Sequence, residues 1–236
     1  MCTVTFVPSS NGFFFTSNRD EAPGRSPDQL TQSIIQDTPI LFPRDTKAGG
    51  TWIAVTASQR LICILNGAFE WHPHRPPYRR SRGLMALDFF FFASAANFVR
   101  SYNFSGMEPF TLITWEKGQL WDIRWDGQQI HSQALSPVES HIWSSATLYP
   151  PEVKKKREQW FQEWSYQFPI ADEKAIRHFH QNAGDGDPTT DVVMNRANIV
   201  RTVSTTLIRH HSDHWLVDYH ELVKDKHDHN QLLFQE

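Results

Sequence analysis

Apolar and β-branched residues alternate with polar ones along most of the chain, and the period is that of strands rather than helices. Residues 2–7 read as a strand, Ser9-Ser10-Asn11-Gly12 as a turn, and residues 12–16 as an aromatic return strand. Asn-Gly between two such runs is a strong hairpin signal. Antiparallel pairing through that turn brings residue 2 beside residues 17–20. Residues 22–38 are polar and contain prolines, which predicts a loop. A short strand follows at 38–42, a turn at Gly49-Gly50, and a second hairpin from 51–56 and 60–65 that ends at Asn66-Gly67.

Residues 70–82, EWHPHRPPYRRSR, read as a long basic loop, and residues 83–102 as one helix, apolar on several faces and buried between layers. Strands at 110–115, 119–125 and 128–134 form a meander, with a further short strand at 142–146. A helix is predicted at 151–167 with proline at its start, and another at 172–181 with Asp172 as N-cap. Residues 183–198 read as a loop, 201–210 and 215–222 as the last two strands, and the tail carries no pattern. No internal repeat or linker interrupts residues 1–236, so a single domain is expected. The order predicts an α+β protein. Two antiparallel sheets with helices outside fit it, and other α+β layouts fit nearly as well.

Composition narrows the function classes. Nine Trp and 17 Phe among 39% hydrophobic residues supply a large core. The net charge of -3 gives no positive field for nucleic acid or an anionic membrane. Two cysteines make no disulfide framework, which suits a reducing compartment. The start of the chain lacks a basic segment followed by an apolar one. The most apolar run, 84–99, is interrupted by Asp88, Ser94 and Asn97 and is too short and polar to span a bilayer. A soluble cytoplasmic protein without stable membrane insertion is expected. Nothing in the sequence sets its oligomeric state.

The chemistry concentrates at the start. Removal of Met1 would leave Cys2 with a thiol of pKa about 8.5 and an α-amine of about 7.7–8.0, close enough for the amine to act as the thiol's base. A nearby guanidinium would also favour the thiolate: a fall from about 8.5 to about 7 raises the ionised fraction at pH 7 from roughly 3% to roughly half. Arg19 is positioned to supply that charge, and Asp20 to orient the amine. The plainer readings are an inert thiol and a surface ion pair, and for Asn66-Gly67 a simple turn. His210, His211 and His214 with Asp213 sit in a predicted turn whose side chains diverge, which reads as a solvated turn and not a metal site. Arg75, Arg79, Arg80 and Arg82 read either as a grip on a carboxylate, phosphate or propionate or, more plainly, as a solvated loop. Lys154 to Arg157 reads as the exposed face of a helix.

The spacing of Met1-Cys2, Asn18-Arg19-Asp20-Glu21, Gly49-Gly50-Thr51-Trp52, Leu65-Asn66 and Ser81-Arg82-Gly83, with the Thr-rich segment from Arg201 to Thr206, resembles the NRDE family, also called the transport-and-Golgi-organisation family. The resemblance covers essentially the whole chain. It implies a four-layer αββα sandwich of the N-terminal-nucleophile hydrolase type, the superfamily of bile-salt hydrolases and penicillin V acylases. It implies Cys2 as nucleophile with its own amine as base, flanked by Arg19 and Asp20, and Asn66 as an oxyanion donor. Such a donor contributes about 3–4 kcal/mol of transition-state stabilisation. Asn18, Arg82, Ser145 and Arg201 fall to substrate binding. Ser145 is a departure, because related amidases carry an asparagine in this neighbourhood.

Two activities follow as expectations. One is a cysteine amidohydrolase that cleaves a linear amide or related acyl bond of a small molecule through a thioester. The other is a non-catalytic carrier of an amphipathic anion (acyl-CoA, lipid or haem) in the same pocket. Neither calls for a resident cofactor or metal.

Overall fold

The computed structural model describes residues 2–235. In chain order its strands are β1 (Cys2–Ser9), β2 (Gly12–Glu21), β3 (Leu30–Ile35), β4 (Thr38–Pro43), β5 (Ile53–Thr56), β6 (Arg60–Asn66), β7 (Phe110–Glu116), β8 (Gln119–Trp125), β9 (Ile130–Leu135), β10 (His141–Ser144), β11 (Asn195–Arg196), β12 (Val200–His210), β13 (His214–Glu221) and β14 (Lys226–Leu233). The helices are α1 (Arg82–Asp88), α2 (Ala95–Ser101), α3 (Pro151–Gln167) and α4 (Glu173–Asn182).

All pairings are antiparallel. One sheet runs β10-β1-β2-β12-β13-β14, with β11 on β12, and the other runs β3 to β9 in chain order. The main core lies between the sheets: Val4, Phe6, Phe13, Phe15 and Trp215 meet Ile53, Leu61, Ile113 and Trp115, and the core continues into Met85, Phe89 and Phe98 of the α1–α2 layer. A second core joins Val7 and Leu207 to Phe161, Trp164, Ile176 and Phe179 of α3 and α4. The result is helices, sheet, sheet, helices: the four-layer αββα arrangement.

The alternation in β2 is the key to the site. Successive strand residues point to opposite faces. Phe13 and Phe15 enter the inter-sheet core, while Phe14 packs against the α3–α4 side. The expected first hairpin is present, with Ser9 opposite Gly12 and Cys2 opposite Arg19. The loop residues are Ser10 and Asn11, and Gly12 itself stands in the strand. Its requirement is space: a Cβ there would lie 2.0 Å from the His210 carbonyl oxygen, at φ +144°.

Four sequence expectations are corrected. The loop at 22–38 contains β3, an edge strand whose Gln32, Ser33 and Ile34 are exposed and so carry no alternation. The patternless tail contains β14, an edge of the other sheet, where the half-buried positions Asp228 and Asn230 are polar and leave no apolar alternation to read. The loop at 183–198 contains β11, a two-residue strand. The helix at 83–102 is two, bent by 116°. Between them Phe89–Phe91 form a 3-10 turn, Phe92 is extended, and Ser94 caps α2 by accepting from the Asn97 amide at 3.1 Å. The bend brings Phe98 edge-on to Phe89, Phe92 and Phe104 at 5.2, 5.4 and 5.3 Å. No helix among the described residues is long and apolar enough to cross a membrane.

Candidate active site

Arg19 leaves β2 on the inter-sheet side, near the end of the sandwich. Its guanidinium lies 3.9 Å over the Trp52 ring, bonds Asp45 and donates to the Arg25 carbonyl at 3.2 Å. Asp45 also accepts from the Lys47 and Ala48 amides at 3.0 and 2.8 Å and from Arg25 at 2.8 Å. Burial alone would raise the Asp45 pKa. The amide donors and the two guanidinia outweigh it and hold the carboxyl below its ordinary value. Arg19 is thus a fixed, stacked and paired cation, 4% exposed.

Two glycine motifs close the site. Thr51 donates from its amide to the Gly83 carbonyl at 3.0 Å. A Cβ on Gly50 would sit 2.3 Å from the Gly83 carbonyl carbon and 2.6 Å from the Leu84 amide. Gly50-Thr51 and the first turn of α1 are therefore in backbone contact. That contact sets Trp52 beneath Arg19 and Arg82 beside the opening.

A cleft of about 370 Å³ lies there, lined by Arg19, Trp52, Ile64, Asn66, Arg82 and Glu108 among others. Three of the expected site residues, Arg19, Asn66 and Arg82, meet in it. Arg82 bonds Glu108 at 3.0 Å and the Pro109 carbonyl at 3.1 Å. Glu108 also takes His72 at 3.4 Å and His74 at 3.1 Å, and Arg80 pairs with Asp88. The basic loop thus arrives with much of its charge matched by carboxylates.

Ser145 is fully buried and does not line the cleft; its Oγ donates to the Asn66 carbonyl at 2.8 Å, beside the Ala146 amide at 3.1 Å. Its place is behind Asn66, anchoring the end of β6 to the segment after β10. Because β10 pairs with β1, with Ser144 opposite Thr3, the ends of β1, β6 and β10 converge. Arg201 stands opposite Glu21, outside the cleft, and reaches Asn198 at 3.4 Å. Of Cys2, the strand register is described and the side chain lies outside the described residues.

Asn18 and Asp20 face the other way. Asp20 is fully buried and accepts from the Tyr149 hydroxyl at 2.5 Å and the Thr202 hydroxyl at 2.6 Å. Burial raises its pKa, against the charge of Arg157 and these hydrogen bonds. Asn18 donates to the His180 and Val192 carbonyls at 2.8 and 3.1 Å and accepts from Thr205 at 3.0 Å. His180 bridges Asn18 and Thr5, at 3.1 and 2.8 Å, and its pKa falls to about 3 through burial, aided by the Arg157 charge.

Arg157 corrects the reading of Lys154 to Arg157 as a solvated face. It is fully buried, stacks 3.7 Å from Tyr149, bonds Thr3 and donates to the Thr190 carbonyl at 2.9 Å. Val153, Arg157, Phe161 and Trp164 share one helix stripe, and that spacing was the available signal. Asp45, Tyr149 and His180 stood alone in sequence and gave none.

The histidine cluster departs from the expected solvated turn with diverging side chains, because His210 ends β12 and His214 begins β13. His210 stacks on Phe13 at 4.9 Å and contacts Trp115 at 4.5 Å, with its pKa lowered to about 4 by burial, while His211 stacks on His214 at 4.7 Å.

A family model described as Transport and Golgi organisation 2 matches residues 1–219. No curated protein matches the chain. Among solved structures the chain is similar to the Caenorhabditis elegans N-acylethanolamine-hydrolyzing acid amidase orthologue, at 11% identity and TM-score 0.59, covering 88% of this chain and 92% of that one. It is similar to a cysteine-to-alanine mutant of conjugated bile acid hydrolase from Clostridium perfringens, at 8% identity and TM-score 0.59, covering 100% and 97%. An arginine-to-leucine variant of the same hydrolase matches at 8% identity and TM-score 0.59, covering 97% and 92%. At these identities the likeness is one of fold, and that fold is the N-terminal-nucleophile hydrolase sandwich.

Proposed function

Because this chain belongs to the Transport and Golgi organisation 2 family, and its fold is that of N-terminal-nucleophile hydrolases, we propose that it is an N-terminal cysteine hydrolase acting on a linear amide or related acyl bond of a small molecule. The observation that carries the reading is the register of the first hairpin: residue 2 stands directly opposite Arg19, which lines the cleft together with Asn66. Residues directly opposite in an antiparallel pair are the closest cross-strand neighbours on one face.

In the proposed reaction Met1 is first removed. The freed α-amine takes the Cys2 thiol proton, and Arg19 favours the thiolate. Sulfur attacks the carbonyl carbon, and the Asn66 amide donates to the developing oxyanion. The C–N bond breaks as the leaving nitrogen takes the proton, and water then hydrolyses the thioester. Asp20 acts from the other face of the sheet as an anchor for β2, and Arg82 with Glu108 shapes the mouth. Two cysteines and no disulfide framework suit work in the reducing cytoplasm.

One observation favours a second reading. The Ser145 hydroxyl is committed to the Asn66 carbonyl and gives a bound carbonyl no second side-chain donor. A site with one weak oxyanion donor would hold an amphipathic anion such as an acyl-CoA or haem without turning it over.

Mass spectrometry of the purified protein, followed by pH-dependent alkylation, tests the hydrolase. Cys63 is buried, so fast labelling reports on Cys2. Met1 absent, a Cys2 pKa well under about 8.5 and acyl-probe capture lost in Cys2→Ala are expected. Retained Met1 sinks the hydrolase, and ligand binding undiminished in Cys2→Ala with no probe capture favours the carrier.

A further inference from the structure

Away from the cleft, the described residues contain one group of three histidine or carboxylate side chains whose ligand atoms all lie within 4.8 Å of one another: His220, Asp225 and His227. The group is built by the last hairpin. His220 on β13 and His227 on β14 are direct cross-strand partners, so their side chains share a face. The two imidazoles stack at 3.7 Å with 22° between their planes.

The turn joining the strands folds Asp225 back over this pair, with its own backbone left-handed at φ +53°. Aspartate tolerates that region better than most residues. The Asp225 Oδ1 stands 2.8 Å from His220 Nε2 and 3.3 Å from His227 Nε2. The turn is pinned from below, because the Lys224 amide donates to Glu221 Oε2 at 2.6 Å and Glu221 is buried.

Two ε-nitrogens thus point at one carboxylate oxygen held by a fixed turn. Ligands about 2.0–2.2 Å from a tetrahedral ion stand roughly 3.3–3.6 Å from one another; the His227–Asp225 pair already has that spacing at 3.3 Å, and the His220–Asp225 pair, at 2.8 Å, has to open slightly to reach it. The rings must open from their stack for both lone pairs to meet one ion. The surface allows it, since His227 and Asp225 are 67% and 82% exposed at the side chain. The next pair on the same face, Asp218 and His229, is already committed: His229 bonds Asp218, whose other oxygen takes Arg177 and Arg209 at 2.8 and 2.7 Å. It leaves the three-residue group as the open donor set.

We propose that His220, Asp225 and His227 bind one Zn²⁺, with water completing the coordination. Two imidazoles and a carboxylate suit a borderline ion, whereas Mg²⁺ and Ca²⁺ prefer all-oxygen sets. The ion would tie β13 to β14 across the turn. The site is independent of the cleft and of any hydrolase activity.

The test is calorimetric titration of the untagged full chain, stripped with a chelator, against zinc chloride and separately against magnesium chloride. One equivalent of Zn²⁺ and no Mg²⁺ should bind. His220→Gln and His227→Gln should each weaken zinc by more than the roughly 10–100-fold that follows loss of an outer hydrogen-bond partner of a ligand, and Asp225→Asn should weaken it too. Asp225 and His227 are exposed and His220 is half-buried, and circular dichroism checks that the variants fold. A His211→Gln, His214→Gln double variant should bind as wild type. Absence of one-to-one zinc binding, unchanged affinity in His220→Gln, or loss in the His211, His214 variant would overturn the proposal.

Discussion

At the residue scale the molecule concentrates its polar chemistry on two faces of one strand. On the cleft side Arg19 is paired and stacked. On the other side Asn18 and Asp20 enter a buried network with His180, Tyr149 and Arg157. His180 is neutral in that network, its pKa falling from 6.5 to about 3 through burial. Between those values the unfolded chain binds a proton that the native state refuses, so stability rises with pH. The contribution is fully present above about pH 6.5 and is lost as pH falls toward 3, at about 1.4 kcal/mol per pH unit. His210, lowered to about 4, acts in the same direction. Denaturant melts from pH 7 to 4 should show this loss, and His180→Gln should flatten it in part. An equal slope in the variant would assign the dependence elsewhere.

At the element scale, two turns do most of the positioning. The contact between Gly50 and Gly83 joins the start of β5 to the start of α1. A Cβ on Gly50 would meet backbone at 2.3 Å, whereas one on Gly83 would meet the Thr51 backbone at 3.1 Å. Gly50→Ala should therefore destabilise by about 1–3 kcal/mol as overpacking, and Gly83→Ala by less. Urea midpoints of the two variants decide it; equal losses would mean that the approach is not what the glycines serve. The stretch from 83 to 102 carries the other lesson: its apolar residues suggest one helix, but Ser94 caps a second and the bend seats four phenylalanine rings together. Caps outrank apolar continuity here because an uncapped helix end leaves backbone donors unpaired.

At the scale of the whole molecule, the sheets lock through Trp215, which is fully buried and donates from its indole to the Thr56 carbonyl at 2.9 Å across the layers. Trp115 lies edge-on to it at 5.7 Å. With both cores sharing β1, β2 and β12, we expect a single domain that unfolds in one cooperative step. Tryptophan fluorescence and far-ultraviolet dichroism should give coincident urea transitions, and Trp215→Ala should cost about 3–5 kcal/mol. Separate transitions for the two signals would instead mean two units.

The sequence by itself determined the hairpin, the meander, the two outer helices and the class of the fold, because alternation, turn dipeptides and N-caps are local. The family motifs were legible there too. Edge strands β3 and β14 were hidden, since a solvated edge needs no alternation. So was the burial of Arg157, whose charge conceals the helix stripe it belongs to. Only tertiary structure decided that Arg19 and Asp20, neighbours in sequence, serve opposite faces of a sheet, and that Ser145 stands behind Asn66 rather than in the cleft. The physical reason is the same in each case: strand period and pairing partner, not sequence proximity, fix which side chains meet.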